Sequence, residues 1–161
     1  MLHVFEIIAP KAGVDADRLI LTYAERQKSR HRAIAENGEE IGWFLQRGIV
    51  LADGDLLKAK SGELIQVVAA DEPVSEVTAD TPLQLQRAAY HLGNRHVPLQ
   101  INENFLRYQQ DHVLDDMTIG LGLTITHKHA PFHPESGAYH SHSSGRHTHI
   151  SHEHNYQDTN K

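Results

Sequence analysis

The sequence predicts an α+β chain of two unlike halves followed by a polar tail, and three observations carry that reading. The first seventy residues break into short runs with turn signals between them, the pattern of an all-β unit. After a break at 70–74 the pattern changes to strands alternating with helices in the order β-α-β-β-α-β, the ferredoxin-like split βαβ arrangement with two helices on one face of an antiparallel sheet. From His133 to Lys161 the sole aliphatic residue larger than alanine is Ile150, so this stretch cannot bury enough apolar surface to offset its ordering entropy. The expected division is therefore 1–70 all-β, 73–132 ferredoxin-like, and 133–161 a flexible His-rich tail.

In the first unit, strands are expected at 2–8, 18–23, 31–35, 40–45, 48–51, 56–58 and 63–69. Asn37-Gly38 is a hairpin signal because both residues tolerate positive φ, and Asp53-Gly54 and Ser61-Gly62 act similarly, so the strands are expected to be antiparallel. In the second unit, 73–79 reads as a strand and Thr81-Pro82 as an N-cap followed by proline at the first helical position. Leu83, Leu85, Ala88, Ala89 and Leu92 recur at helical spacing down to Gly93, where a left-handed cap can end the helix. Strands follow at 97–101 and 105–108. A second helix then begins at Asp111, with Val113, Leu114, Met117 and Leu121 on one face and Gly122 closing it, and 123–126 is the last strand.

Composition narrows the chemistry. The chain has no cysteine, which excludes disulfides, thiolate zinc sites, iron–sulfur clusters and cysteine nucleophiles. With 21 acidic against 15 basic residues and no basic stripe, nucleic acid is not the expected partner. No apolar run approaches the roughly 20 residues that cross a bilayer, and the first ten residues lack the features of a secretory signal, so the expectation is a cytoplasmic protein with no membrane partner. No Gly-X-Ser-X-Gly turn, phosphate-cradling glycine loop or His-Glu-X-X-His pair is present, and no enzyme activity is expected.

The anomaly is histidine. The chain holds 14, and full protonation would carry its net charge from −6 to +8. Nine of them, His127, His129, His133, His140, His142, His147, His149, His152 and His154, fall in the last 35 residues, several as His-X-His. That composition signals transition-metal binding, because neutral imidazole suits nickel, copper and zinc; interspersed Ser, Arg, Glu and Thr distinguish it from a cloning tag. Among the other five, His3, His31 and His91 read as ordinary packing residues. His96 lies beyond the Gly93 cap, with no helical spacing that pairs it with His91. His112, at a helix start, reads equally as a ligand kept neutral by burial at the positive dipole end and as a structural residue.

Several segments together closely resemble the urease accessory protein UreE family of nickel metallochaperones. They are Ala89-Tyr90-His91-Leu92-Gly93-Asn94-Arg95-His96-Val97-Pro98-Leu99-Gln100, Leu106-Arg107-Tyr108, Asp111-His112-Val113-Leu114-Asp115-Asp116-Met117, and Pro131-Phe132 with Pro134-Glu135-Ser136-Gly137-Ala138-Tyr139. In the first half, Phe44-Leu45-Gln46-Arg47-Gly48 and Gly54-Asp55-Leu56-Leu57 resemble further family elements, so the resemblance covers about residues 1–140. It implies a cytosolic homodimer whose all-β first domain contacts partner proteins and whose ferredoxin-like second domain forms the dimer. The function implied is delivery of Ni(II) to apo-urease through the accessory GTPase complex. The family's principal nickel ligand is the His of Gly-Asn-Arg-His, here His96, supplied by both subunits. A second family site uses His-Asp-His, of which Gln110-Asp111-His112 keeps the last imidazole, and Pro131-Phe132-His133-Pro134 adds one at the base of the tail. With His96, His112, His133 and the tail imidazoles as metal residues, Cu(II) or Zn(II) would meet the same ligands. The competing reading is a storage protein that sequesters Ni, Cu or Zn in its tail.

Overall fold

The computed structural model describes residues 1–10 and 13–136, and the tail imidazoles from His140 to His154 lie outside the described residues. The architecture is mixed α+β, mostly strands with few helices. The first half contains β1 (Leu2–Ile8), β2 (Asp17–Leu21), α1 (Tyr23–Arg26), β3 (Arg30–Ile34), β4 (Glu40–Phe44), β5 (Leu56–Ala59) and β6 (Leu64–Ala69). These strands form one six-stranded sheet in the order β2-β6-β5-β1-β4-β3. Side chains alternate across it, and one face gathers Val4, Leu19, Leu21, Ile41, Trp43, Leu57, Ile65 and Val67 into a core from which water is excluded. Trp43 also donates its indole N–H to the Lys28 carbonyl at 2.7 Å, which satisfies the one polar atom that its burial would strand.

The hairpin signals hold where they join consecutive strands: Gly38 (φ 87°) turns β3 into β4, and Gly62 (φ 108°) turns β5 into β6. The expectation that all strands are antiparallel is corrected, because β1 pairs parallel with β4 and β2 parallel with β6. A turn dictates the direction of only the two strands it connects. The pairing of strands distant in sequence is decided by which apolar faces share the core. The expected strand at 48–51 is absent. Gly48 (φ 88°) turns the chain, and the Leu51 backbone bonds to Arg26 instead of to a ladder, with its N–H donating to the Arg26 carbonyl at 2.9 Å and its carbonyl accepting from Nη1 at 3.2 Å. The one-turn helix α1 replaces the expected end of the strand at 18–23. Thr22 and Glu25 form a reciprocal capping box there, a Thr-X-X-Glu signal present in the sequence.

The second half runs β7 (Asp71–Thr78), α2 (Pro82–Gly93), β8 (Gln100–Ile101), β9 (Leu106–Gln109), α3 (His112–Gly120) and β10 (Thr124–Pro131). Its four strands are ordered β10-β7-β9-β8, and every neighbouring pair is antiparallel. Thr81 caps α2 through a capping box with Gln84, with Pro82 at the start. Leu85, Ala88 and Leu92 of α2 and Leu114 of α3 cover Val77, Leu106 and Tyr108 of the sheet. Pro98 has no N–H to give, and only Gln100–Ile101 of the expected strand at 97–101 pairs.

Only Ala70 separates β6 from β7, and the two sheets are tied by buried polar groups. Glu72 accepts from the Tyr23 backbone N–H at 2.8 Å with one carboxylate oxygen and from Gln109 Nε2 at 2.9 Å with the other. Arg26 reaches the opposite way, donating from Nη2 to the Phe132 carbonyl. Around these bonds Tyr23, Val74, Ala130 and Phe132 pack as a separate apolar cluster, with the Tyr23 and Phe132 rings edge to face at 5.3 Å. Removing Glu72 orphans the buried Tyr23 N–H and breaks the bond from the Gln109 amide. We therefore expect Glu72→Ala to cost about 1.5–3 kcal/mol, whereas Glu36→Ala, which breaks an exposed ion pair with Arg18, should stay within about 0.5 kcal/mol. Urea unfolding of the two variants checks the contrast.

Candidate metal-binding residues

Helix α2 does not end as a left-handed Gly93 would end it. Gly93 is the last helical residue and Asn94 caps the helix in the right-handed region. The chain then tightens, with Arg95 N–H donating to the Leu92 carbonyl and His96 N–H to the Gly93 carbonyl, both at 3.0 Å. The reversal falls on His96, whose φ of 56° is the one positive value at a non-glycine position among the described residues. Val97 follows and precedes Pro98, which disfavours a helical Val97, so the turn must be completed before it. His96 is thus fixed by its backbone with its side chain exposed. A left-handed conformation in a residue with a Cβ costs about 1–2 kcal/mol, and such outliers concentrate where a side chain must be presented in one direction.

His112 is the first residue of α3, behind Asp111, whose carboxylate caps the helix by accepting from Val113 and Leu114 N–H at 2.9 and 3.1 Å. The side chain is exposed. Burial against the helix terminus, one of the two readings of this residue, does not occur: Asp111 occupies the dipole end, and the first-turn position after it is exposed. His133 is exposed too, but its backbone N–H is held by Gln100 Oε1 at 3.0 Å. It lines a hollow with Tyr23, Arg26, Asp53 and Glu135, between the first sheet and the start of the tail. His91 is exposed on the last turn of α2 and stacks edge-on with Tyr90, while His31 packs edge-on against Trp43. Among the described residues, no group of three or more His, Asp or Glu side chains is gathered as an ion site. The fold presents His96, His112 and His133 separately.

Strand β10 is longer than the expected 123–126, because its ladder with β7 continues from Thr124↔Thr78 to Pro131↔Asp71. His127 and His129, which sequence reasoning left with the approach to the tail, therefore lie on a paired strand. His127 Nε2 is 2.7 Å from Asp115 Oδ2, and Asp115 Oδ1 accepts from the buried Tyr108 hydroxyl at 2.8 Å. Burial opposes charge on Asp115, but contacts from Ser75, Tyr108 and His127 outweigh it and hold the carboxyl below its ordinary value. Ser75, fully buried, acts there as a nearby hydroxyl dipole. For Tyr108, burial foremost, with the Asp115 carboxylate, pushes the phenol up, so it stays protonated as a donor.

The other face of β10 is fixed by Glu76. It takes Arg107 Nε and Nη2 on one oxygen, both at 2.7 Å, and Lys128 Nζ on the other at 2.6 Å. Burial opposes this charge, but the hydrogen bonds from Lys128 and Arg107 prevail and hold Glu76 below its ordinary value of 4.5. A depressed folded pKa stabilises the fold fully above the unfolded value and is lost as pH falls through the folded one. The stability gap between the parent and Glu76→Gln should therefore be constant from neutral pH down to about 5 and close below about 4.5, the range set by an unfolded glutamate. Chemical denaturation across that range measures it.

Comparison with known proteins identifies the family of the chain. The model of the UreE urease accessory protein N-terminal domain matches residues 4–70, and that of the C-terminal domain matches residues 72–158. The chain is 54% identical over 140 residues to the urease accessory protein UreE of Teredinibacter turnerae, covering 86% of this chain and 91% of that protein. It is 55% identical over 142 residues to the urease accessory protein UreE of Saccharophagus degradans, covering 86% and 84%. With both halves matched and relatives of this likeness spanning most of its length, the chain belongs to the UreE urease accessory protein family.

Proposed function

We propose that this protein carries Ni(II) to apo-urease during assembly of the urease metallocentre, holding the ion between the His96 side chains of two copies. Membership of a urease accessory family makes it a maturation factor and not an enzyme. The observation that carries the site is His96 itself, exposed and held at φ 56° by the loop between α2 and Pro98. One imidazole is a poor nickel site, and no three-residue ligand group is available among the described residues of a single copy. A second copy supplies the second nitrogen and leaves other positions for water, tail imidazoles or an acceptor.

A homodimer also accounts for apolar exposure on the same half. Leu83 (54% exposed) and Tyr90 (67%) lie seven residues apart on one stripe of α2, and Val113 and Ile119 of α3 are also more than half exposed. We infer that the second half, 73–132 with its ferredoxin-like strand order, forms the dimer. The first half, 1–70, faces partners such as the accessory GTPase and apo-urease complex. His112, His133 and the tail histidines act as auxiliary ligands, open also to Cu(II) or Zn(II). The compartment is the cytoplasm. No helix among the described residues is long and apolar enough to cross a membrane.

His96 separates ligation from folding. In a chain ending at Tyr139, His96→Ala should abolish tight nickel binding while His91→Ala retains it. His96→Gly should also lose the metal, yet remain within about 1 kcal/mol of the parent, since glycine adopts this conformation without a Cβ penalty. Calorimetric nickel titration with parallel thermal melts decides it; retained binding by His96→Ala would place the site elsewhere. Truncation at Tyr139 should itself lower nickel stoichiometry while keeping the tightest site, and equilibrium dialysis showing equal stoichiometry would end the auxiliary role of the tail.

A further inference from the structure

We propose that His127 and His129 form a metal site within one copy of the chain, a two-imidazole chelate on β10 for a divalent ion such as nickel, copper or zinc, with Asp115 as its positioning residue. The site goes beyond the His96 reading and does not require it. Residues two apart on a strand project to the same face, so His129 follows His127 on the side of the sheet that carries α3. Their Cα atoms are about 6.6 Å apart along the strand. Two rings leaning together across that gap can each place a nitrogen about 2.0–2.1 Å from one ion. Both side chains are exposed, that of His127 by 51%, so an ion reaches them from water.

The nitrogen that His127 would use is set by its neighbours. Asp115 is ionised and can only accept, so the 2.7 Å contact is a hydrogen bond donated by Nε2–H, and the lone pair of the neutral ring resides on Nδ1. Asp115 is itself fixed, since Tyr108 donates to its other oxygen. A carboxylate that takes the second ring proton of a ligating histidine fixes its tautomer and raises its basicity. The chain Tyr108–Asp115–His127 is thus built from the core outward and ends on a free nitrogen. A tie between helix and strand needs only the Asp115–His127 bond, which leaves exposed His129 on the same face unexplained. The strand beneath is rigid, because His127 pairs with Ser75 and His129 with Pro73, and Lys128 between them is anchored on Glu76. With two protein ligands and water completing the shell, the ion is held but can be released.

The test uses the full-length chain with His140, His142, His147, His149, His152 and His154 changed to Gln, so that the tail does not mask the result. Titration with NiCl2 in a calorimeter should show a site that His127→Gln or His129→Gln weakens at least tenfold, with the double variant no weaker than either single one. Asp115→Asn should weaken it by about 10–100-fold. His96→Ala should leave it unchanged, so its failure and that of the interfacial site are distinguishable. Nitrogen NMR of the histidine rings with ZnCl2 supplies a readout a purely structural bond would not move: His127 Nδ1 should shift on binding while Nε2 stays protonated. Titrations of both single Gln variants identical to the parent, or zinc shifting Nε2 in place of Nδ1, would overturn the proposal.

Discussion

The carboxylate of Glu72 is the constraint on which the arrangement of the molecule depends. It sits two residues after Ala70, the only residue between the two sheets, and spends one oxygen on the first half and the other on the second. A buried carboxylate with both oxygens engaged is costly to move, because any hinge at Ala70 would separate the buried Tyr23 N–H from the buried charge that it satisfies. Arg26 closes the same junction from the first half by holding the Phe132 carbonyl. The end of β10 is thereby clamped to both sheets. His133, two residues beyond the strand, leaves from a defined place beside Gln100 and Glu135.

That rigidity contrasts with how the imidazoles are offered. The cores of both sheets are built from apolar side chains, and His96, His112, His127, His129 and His133 all face water. A histidine buried beside carboxylates would bind metal by closing a cage, and release would require the fold to open. Here the fold sets where each imidazole leaves the surface, through backbone conformation at His96 and through the Asp115 contact at the His127 ring. An exposed, preoriented ligand gains affinity because little ordering remains to be done on binding. It also stays accessible to a competing ligand on an acceptor.

The sequence made the local elements legible where a short-range signal was complete. Thr81-Pro82 started α2 and Gly122, at φ 83°, closed α3. What it did not disclose were features that depend on distant partners. The parallel pairing of β1 with β4 has no signature in either strand, since both are apolar runs that fit either direction. The left-handed residue after α2 was assigned to Gly93 on conformational preference, yet the tightening turn and Pro98 moved it to His96. The capping box at Thr22 and Glu25 was readable but lay inside an apolar run that suggested strand. The Asp115–His127 contact joins a helix to a strand 12 residues away and could not be seen in one dimension.

The length of β10 decides which histidines belong to the fold and which to the tail. Had the strand ended near Thr126, His127 and His129 would have had to be ordered by the metal itself, at a cost of roughly 1–2 kcal/mol for each backbone residue fixed. The pairing of His129 with Pro73 is possible because proline occupies a position on β7 where its missing N–H is tolerated, and the ladder continues through Ala130 to Pro131. Ala130 and Phe132 then enter the apolar cluster that Val74 and Tyr23 complete. Burial of Ala130 and Phe132 at the junction therefore extends the strand, and the extended strand orders His127 and His129 before any ion arrives. The same apolar contacts that join the two sheets are what convert a His-X-His sequence from a loose pair of ligands into a preoriented one.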